Sequence, residues 1–529
     1  MAASPWWHGA VLYQLYVRSW RDSDGDGYGD IPGILAGLDH LSWLGVDGIW
    51  LSPTMPSPDE DWGYDVSDYT AVHPELGSLA DLEALIASAA KTGIKVMLDL
   101  VPNHTSSAHS WFIDAASARD SAHRDYYVWA DAAPGGGPPN NWLDATGQSA
   151  WEWHAATGQY YLHNFLVGQP DLNWWLPAVH AEFRDILEFW FDRGVAGFRI
   201  DVAHGLYKDA ELRDNPPLPP GGSRLDGRFG FRPVYNSGRP ETHSVFRDWR
   251  KIADSYSPPR LLLGETWVGD IARLASYYGS NDELQLAFNF PFAFASFEMP
   301  GIAQVVNDTL AALPSGACPV WMGSNHDIGR FPSRWCHGDE RLIRLALLVL
   351  TTLPGTTMLY YGDEIGMTDV DVPPELRRDA MTRGANPLGN RDRGRTPMRW
   401  DDSPGAGFTA DDVRPWLPLP PRSAPNVAAQ RANTQSTLWL CKQLIALRHG
   451  RMGAEIPELE LLPGPAGLLA YQVGGLVVAA NLSAETAEVP AQARRLLLAT
   501  DGAAALPAVL APWQGIVAHG GRWVAASGR

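Results

Sequence analysis

The chain is poor in the features that would assign it to several common classes. Among 529 residues there are three cysteines, Cys318, Cys336 and Cys441. An odd number cannot pair off within the chain, and so few in this length exclude a disulfide-dense scaffold. They form no metal-ligand spacing and are expected as small core residues. Positive charge is also short: 41 Lys and Arg against 60 Asp and Glu give a net charge of −19. That balance argues against nucleic acid or an anionic membrane as a partner. No window reaches the roughly 18 apolar residues of a membrane span, and the greasiest run, 343–353, is ended by Pro354. Met1 to Trp20 shows no basic segment leading into an apolar stretch and a small-residue cleavage site. Together these absences set the expectation of a cytoplasmic protein. No solenoid-period repeat, low-complexity tract, glycine-rich phosphate cradle or zinc-ligand cluster stands out.

What is present belongs to a well-packed globular protein. Hydrophobic residues make up 45% and charged residues 19%, which is ordinary for a folded soluble chain. The length calls for two or three domains. From Val11 to about Leu447, short β-type runs alternate with amphipathic helical ones. Val11–Tyr16, Gly48–Ser52 and Lys95–Val101 read as the first strands. A helix over 33–44 carries Ile34, Leu38, Leu41 and Leu44, and another spans 79–92. Arg260–Leu263, Leu286–Phe290, Val320–Met322 and Thr357–Tyr360 supply later strands. Regular alternation implies parallel strands with right-handed crossovers. The segment 105–173 breaks the rhythm and reads as a functional insertion rather than a connector. Two further irregular stretches, 214–240 and 369–425, are candidate rim loops, the former equally readable as a solvated loop. After 449 the texture becomes all-β, with strands at 459–462, 468–473, 476–481, 494–498 and 513–518, which fits a small antiparallel sandwich. The domain reading is therefore 1–104 and 174–449 for the α/β body, 105–173 inserted, and 450–529 at the end.

Four acidic clusters end β-type runs: Asp99-Leu-Val-Pro-Asn103-His104, Gly197-Phe-Arg199-Ile-Asp201, Leu263-Gly-Glu265-Thr and Asn325-His326-Asp327. In a barrel of parallel strands the C-terminal ends converge on one face, where catalysis takes place. Asp201, Glu265 and Asp327 then meet despite their separation in sequence. Three carboxylates flanked by Arg199, His104 and His326 suit glycosidic bond cleavage, in which one group attacks and another protonates the leaving oxygen. Arg199 and Asp201 are two apart, so in a strand both point to one face. The cation should keep Asp201 ionised, while burial and the charge of Asp201 should raise Glu265.

These clusters, in this order, resemble the signature regions of glycoside hydrolase family 13, the α-amylase family. A fifth segment, Gln169-Pro-Asp171-Leu-Asn173, resembles the form found in its α-glucosidase and oligo-1,6-glucosidase branch. The resemblance runs from about Trp6 to the end of the chain. It implies a (β/α)8 barrel (TIM barrel) with a small domain inserted after strand 3 and a C-terminal antiparallel β-sandwich. It also implies Asp201 as nucleophile, Glu265 as general acid/base and Asp327 as transition-state stabiliser, with His104 and His326 bonding the sugar and Asn103 and Asp99 organising the site. In exo-acting relatives a Tyr-Asp pair and an Arg clamp the terminal sugar. Tyr64 and Asp65 with Arg391 are taken for that lock, Arg395 being the competing cation. Phe165 is expected at the junction of the first two sugar sites. Many endo-acting relatives carry a Lys-His pair soon after the nucleophile. Here the run is Asp201-Val202-Ala203-His204-Gly205, which disfavours cutting inside long chains. Val202 bears on linkage, α-1,4 against α-1,6.

Asp22-Ser-Asp24-Gly-Asp26-Gly-Tyr28-Gly-Asp30 follows the first strand. Alternate oxygen ligands, with glycines allowing tight curvature, suit a hard cation. Gly33 stands where an EF-hand loop needs its bidentate Glu, but the same run recurs in this family branch as a structural Ca²⁺ loop. Mg²⁺ is the alternative occupant. The resulting expectation is a retaining, exo-acting α-glucosidase acting on short α-glucosides, with transglucosylation as a side activity, working as a monomer or small homo-oligomer. The alternatives are a sucrose isomerase or dedicated α-glucosyltransferase and, more remotely, a non-enzymatic transporter-associated relative. The intact carboxylate trio and the missing span speak against the last.

Overall fold

The computed structural model describes residues 5–220, 227, 229–383, 389–451 and 456–520. Parts of the two irregular stretches (221–226, 228 and 384–388) and of the terminal span (452–455 and 521–529) lie outside the described residues. Parallel strands β1 (Val11–Leu15), β2 (Gly48–Leu51) and β3 (Lys95–Leu100) open the barrel. The insertion after β3 carries β4 (Trp129–Ala130), β5 (Trp151–His154) and β6 (Gln159–Leu162), an antiparallel sheet in the order β4-β6-β5. The barrel resumes with β7 (Gly197–Ile200), β8 (Leu261–Gly264), β9 (Leu286–Ala287), β10 (Val320–Met322) and β11 (Thr356–Tyr360). The strand order is β10-β11-β1-β2-β3-β7-β8-β9, so β1 sits between β2 and β11 and the sheet curls almost closed. All eight barrel strands are buried, as continuous apolar runs require when both faces are covered.

Two elements differ from the sequence reading. The helix expected over 33–44 is two helices, Ile31–Ala36 and Leu38–Leu44, broken at Gly37. A Cβ on Gly37 would stand 2.7 Å from the indole nitrogen of buried Trp20. The break lets the backbone pass over that ring, which periodicity alone does not reveal. The run 286–290 yields a strand of two residues before the helix Phe290–Phe294 begins. Asn289 caps that helix by accepting from the Phe292 amide, and Pro291 occupies its first turn.

The C-terminal part contains β12 (Leu459–Leu461), β13 (Leu468–Val473), β14 (Leu476–Asn481), β15 (Ala487–Glu488), β16 (Arg495–Ala499), β17 (Val509–Leu510) and β18 (Gly515–His519). Five of them form an antiparallel sheet in the order β12-β13-β14-β18-β16, and β15 pairs with β17. One face, with Tyr471, Val478 and Val517, joins the main core against helix Glu340–Thr352. The other face, with Ala470, Ala479 and Ile516, packs on Ala487 and Leu510 of the small ribbon. The period of two along each strand divides the side chains between these layers.

Arg448, near the end of helix Thr437–Arg451, is buried and donates to backbone carbonyls of Gly9, Thr351, Leu353 and Gly355. It ties the approach to β1 to the turn before β11. Arg448→Met should therefore strand several buried carbonyls and destabilise the fold by about 3 kcal/mol. Thermal unfolding of the purified variant checks this; a midpoint equal to that of the parent would contradict it.

Candidate active site

Strand ends place the site. Asp99 on β3 and Arg199 on β7 are Cα partners across neighbouring strands, and Glu265 follows β8 directly. The Arg199 guanidinium is the meeting point. Its Nη1 lies 2.7 Å from Asp201 Oδ1 and 2.9 Å from Asp99 Oδ1, and its Nη2 lies 2.9 Å from Glu265 Oε1. The cation stacks over Trp50, whose indole N–H donates to Asp99 Oδ2. Glu265 Oε2 accepts the Val202 amide at 3.0 Å. Val202 has φ +45°, a left-handed value that is strained for a β-branched residue. The backbone is thus turned sharply behind Asp201 so that its amide reaches the second carboxylate.

Three buried carboxylates share one guanidinium, so they cannot all be comfortably ionised. Burial, resisted by Arg199, pushes Asp99 up to about 7. Burial also pushes Asp201 upward, opposed by Arg199 and reinforced by Glu265 and Asp99. The expectation that Arg199 keeps Asp201 ionised is therefore not met in direction: burial, reinforced by Glu265 and Asp99, outweighs the cation.

Asp327 lies in the opposite environment. Burial works to raise it, but the His326 Nε2 3.2 Å from its Oδ2 and the Arg391 and Arg395 guanidiniums outweigh that and hold it well below the ordinary carboxylate range. Its Oδ1 lies 3.0 Å from Arg391 Nη1 and 3.2 Å from Arg395 Nη2. Burial lowers the affinity of His326 and His104 for protons, so both act as neutral imidazoles. With the Gln14 amide nitrogen 2.8 Å from His326 Nδ1, the proton belongs on Nε2, which is 2.7 Å from the Tyr64 hydroxyl. Tyr64 in turn donates to Asp99 Oδ2. His104 Nε2 sits 2.9 Å from the Tyr64 carbonyl, and Phe165 packs beside its ring.

The proposed pairing of Asp65 with Arg391 is not formed. Arg391 Nη2 contacts Asp61 Oδ1 at 2.6 Å and Asp379 Oδ1 at 2.7 Å. Asp65 turns into its own loop, accepting from Ser57 Oγ and the amides of Glu60 and Asp61. Burial pushes it up to about 6. In the acid-rich run 59–65 nothing local tells which carboxylate faces the cavity; the curl of the loop decides it. Asp379 lies in an irregular stretch with no motif to flag it. Lys208, also missed, is buried against Asp171 (2.7 Å) and Asn103 (2.8 Å), binding the floor to the inserted domain.

Asp61, Tyr64, His104, Phe165, Asp201, Val202, Glu265, His326, Asp327 and Arg391 all border one cavity of about 190 Å³. Arg395 is fully buried behind it, donating to the His326 carbonyl. In the loop after β1, carboxylate oxygens of Asp22, Asp24 and Asp30 lie within 4.8 Å of one another. Asp26 accepts the Tyr28 amide, and the Tyr28 ring packs near Trp62 and Trp416. Among the described residues no Lys or Arg pairs with these acids. Burial raises Asp30 and Asp26, and the charge of Asp24 adds to both. Amides of Gly25, Gly27 and Gly33 donate to Asp22 and Asp30 and order the loop, and an acidic, oxygen-only donor set of this kind fits a hard cation.

Asp61→Asn should weaken binding of glucose-sized ligands by roughly tenfold or more, since it unbalances a buried ion pair beside the cavity. Asp65→Asn should instead lower thermal stability. Calorimetric titration with glucose and melting curves of both variants check this, and the reverse pattern would restore Asp65 as the clamp.

The comparisons with known proteins agree with this geometry. Residues 14–453 match the model described as "Alpha amylase, catalytic domain", and 460–517 match a domain of unknown function, DUF3459. A probable α-glucosidase of Rhizobium meliloti (strain 1021) is 39% identical over 88% of this chain and 86% of its own. An oligo-1,6-glucosidase of Heyndrickxia coagulans is 35% identical over 91% and 93%. Among solved structures, the α-glucosyl transfer enzyme XgtA superposes with a TM-score of 0.90 at 38% identity, covering 98% of this chain and all of that one. The trehalulose synthase MutB of Pseudomonas mesoacidophila MX-45 superposes at 0.88 and 30%, covering 98% and 99%. With its eight-stranded barrel and carboxylates gathered at the strand ends, the chain belongs to the α-amylase family of glycoside hydrolases.

Proposed function

We propose that the protein is a retaining, exo-acting α-glucosidase that removes α-glucose from the non-reducing end of short α-glucosides. The observation that carries this reading is the fork of Arg199, which holds Asp201 and Glu265 on neighbouring nitrogens of one guanidinium. Retaining enzymes keep their two carboxyl groups about 5 Å apart, whereas inverting ones leave room for a water between them. A shared guanidinium supports the shorter spacing. Glu265 donates its proton to the departing oxygen while Asp201 attacks the anomeric carbon. The glycosyl ester is then cleaved by a hydroxyl whose proton returns to Glu265. Asp327, held ionised by Arg391 and Arg395, is placed to bond sugar hydroxyls in the distorted ring. The Asp61–Arg391 pair supports a pocket closed beyond the first sugar.

Either water or a sugar hydroxyl can accept the glucosyl group, so transglucosylation follows from the same intermediate. The likeness to XgtA and MutB favours a dedicated transferase or isomerase as the second reading. The carboxylate trio speaks against a non-enzymatic transporter-associated role, and among the described residues no helix is long and apolar enough to cross a membrane. Three buried free cysteines support a cytoplasmic location. Asp22, Asp24 and Asp30, with Asp26 and Tyr28 completing the loop, would hold Ca²⁺, or Mg²⁺ as the alternative. The ion would neutralise the acids and brace the loop after β1.

Maltotriose should give glucose first, in the α-anomer, because a closed end admits one residue per cycle and double displacement retains configuration. Time-resolved NMR reads the anomer. Early β-glucose would contradict retention, and maltose plus glucosyl-extended products without net glucose would favour the transferase. Relative turnover of maltose and isomaltose assigns the linkage preference. Chelation should lower the unfolding temperature by several degrees while leaving room-temperature turnover largely intact, since a ligand bound to the folded state stabilises it by mass action. An unchanged melting curve after chelation, with no metal found by elemental analysis, would contradict the cation site.

A further inference from the structure

We infer that the leaving-group side of this pocket recognises an anionic aglycone, one carrying a carboxylate or a phosphate. The inference rests on the α-glucosidase reading and deepens it. The arginines inside the site are spent: Arg199 serves Asp99, Asp201 and Glu265, and Arg391 and Arg395 serve Asp327. At the outer wall two more arginines line the same cavity, Arg232 on the segment 209–240 and Arg273 on the helix Ile271–Ser276. Neither guanidinium has a carboxylate partner or side-chain hydrogen bond among the described residues. Their neighbour Arg239, by contrast, pairs with Asp209 and Glu241. In a chain with 60 acidic and 41 basic residues, two cations that line one opening with no acidic partner among the described residues run against composition.

The local geometry holds one of them there. Gly238 has φ +65°, and a Cβ on it would stand 2.4 Å from Arg273 Nη2 and 3.7 Å from its Cζ, so one amino end of the guanidinium abuts the Gly238 backbone. The Gly238 amide donates to the His204 carbonyl at 2.7 Å, fixing that backbone to the turn behind Asp201. Phe231 and Trp267 line the space on the same side and supply apolar faces for the body of an aglycone. A neutral leaving group makes no use of the charge on these two guanidiniums. A carboxylate or phosphate matches their fork geometry, with charge-assisted hydrogen bonds. The same cations offset the acidic floor for an approaching anion.

The test compares three substrates of the full-length protein: 3-carboxyphenyl α-glucoside, its uncharged methyl ester, and 3-phosphonophenyl α-glucoside. The readout is the ratio of kcat/KM for each anion to that for the ester, compared between parent and variants, so that intrinsic leaving-group reactivity cancels. The Arg232→Gln/Arg273→Gln double variant should lower at least one ratio by about five- to tenfold, as expected for two exposed charge pairs. The arm that falls further identifies carboxylate or phosphate. Raising the salt concentration should lower the parent's ratio and leave the variant's flat, and lysine at both positions should restore part of the preference. Melting curves confirm that the variants are folded. A ratio that does not move, or esters and anions shifting together because the arginines merely balance the acidic floor, would overturn the inference. No turnover of any α-glucoside would overturn the α-glucosidase reading as well, whereas turnover of all three with an unmoved ratio overturns this inference alone.

Discussion

The site depends on one buried guanidinium surrounded by more negative charge than it can neutralise. Arg199 is fully buried and touches Asp99, Asp201 and Glu265. A charge removed from water persists only when paired and hydrogen-bonded. Here the pairing leaves a surplus of carboxylate, and burial, resisted by Arg199, raises both Asp99 and Asp201. A nucleophile must be ionised while the acid beside it is not, and a crowded cluster around a single cation can hold both states within a small volume. The barrel makes this possible because neighbouring parallel strands bring Asp99 and Arg199 into register without any contact between them in sequence.

A second cation hub closes one end of the cavity. Arg391 joins Asp61 from the loop after β2, Asp327 from the loop after β10 and Asp379 from the long stretch after β11. Three loops are thereby fixed to one side chain, and the ionised Asp327 is kept apart from the carboxylate cluster around Arg199. Neutral His104 and His326 fill the space between, offering hydrogen bonds without adding charge. The arrangement separates two electrostatic tasks across a single cavity.

Much of this was legible in the sequence because buried parallel strands write continuous apolar runs and end in polar residues. The ends of β3, β7, β8 and β10 carry Asp99, Asp201, Glu265 and Asp327, and the structure brings all of them to one cavity or its floor. Strands β13 and β14 match their sequence bounds because short apolar runs are set off by Gly467 and by Gly474 and Gly475 between them. What failed was decided by tertiary contact. Trp20 splits a periodic helix at Gly37, and the cap at Asn289 cuts a strand short. Asp65 was read as the clamp because it adjoins Tyr64, but loop curvature sends it inward and presents Asp61 instead. Lys208 and Asp379 lie in segments without periodicity, so their partners are visible only once the chain has folded.

The central claim, that Asp201 forms a glucosyl ester while Glu265 handles the proton, is tested most directly by trapping that ester. A 5-fluoro-α-glucosyl fluoride slows both chemical steps but leaves a good leaving group, so the ester accumulates. Proteolysis and tandem mass spectrometry of the inactivated protein should then locate one fluoroglucosyl group on Asp201. A label on Glu265 or Asp327, or slow turnover with no labelled peptide at all, would contradict the account.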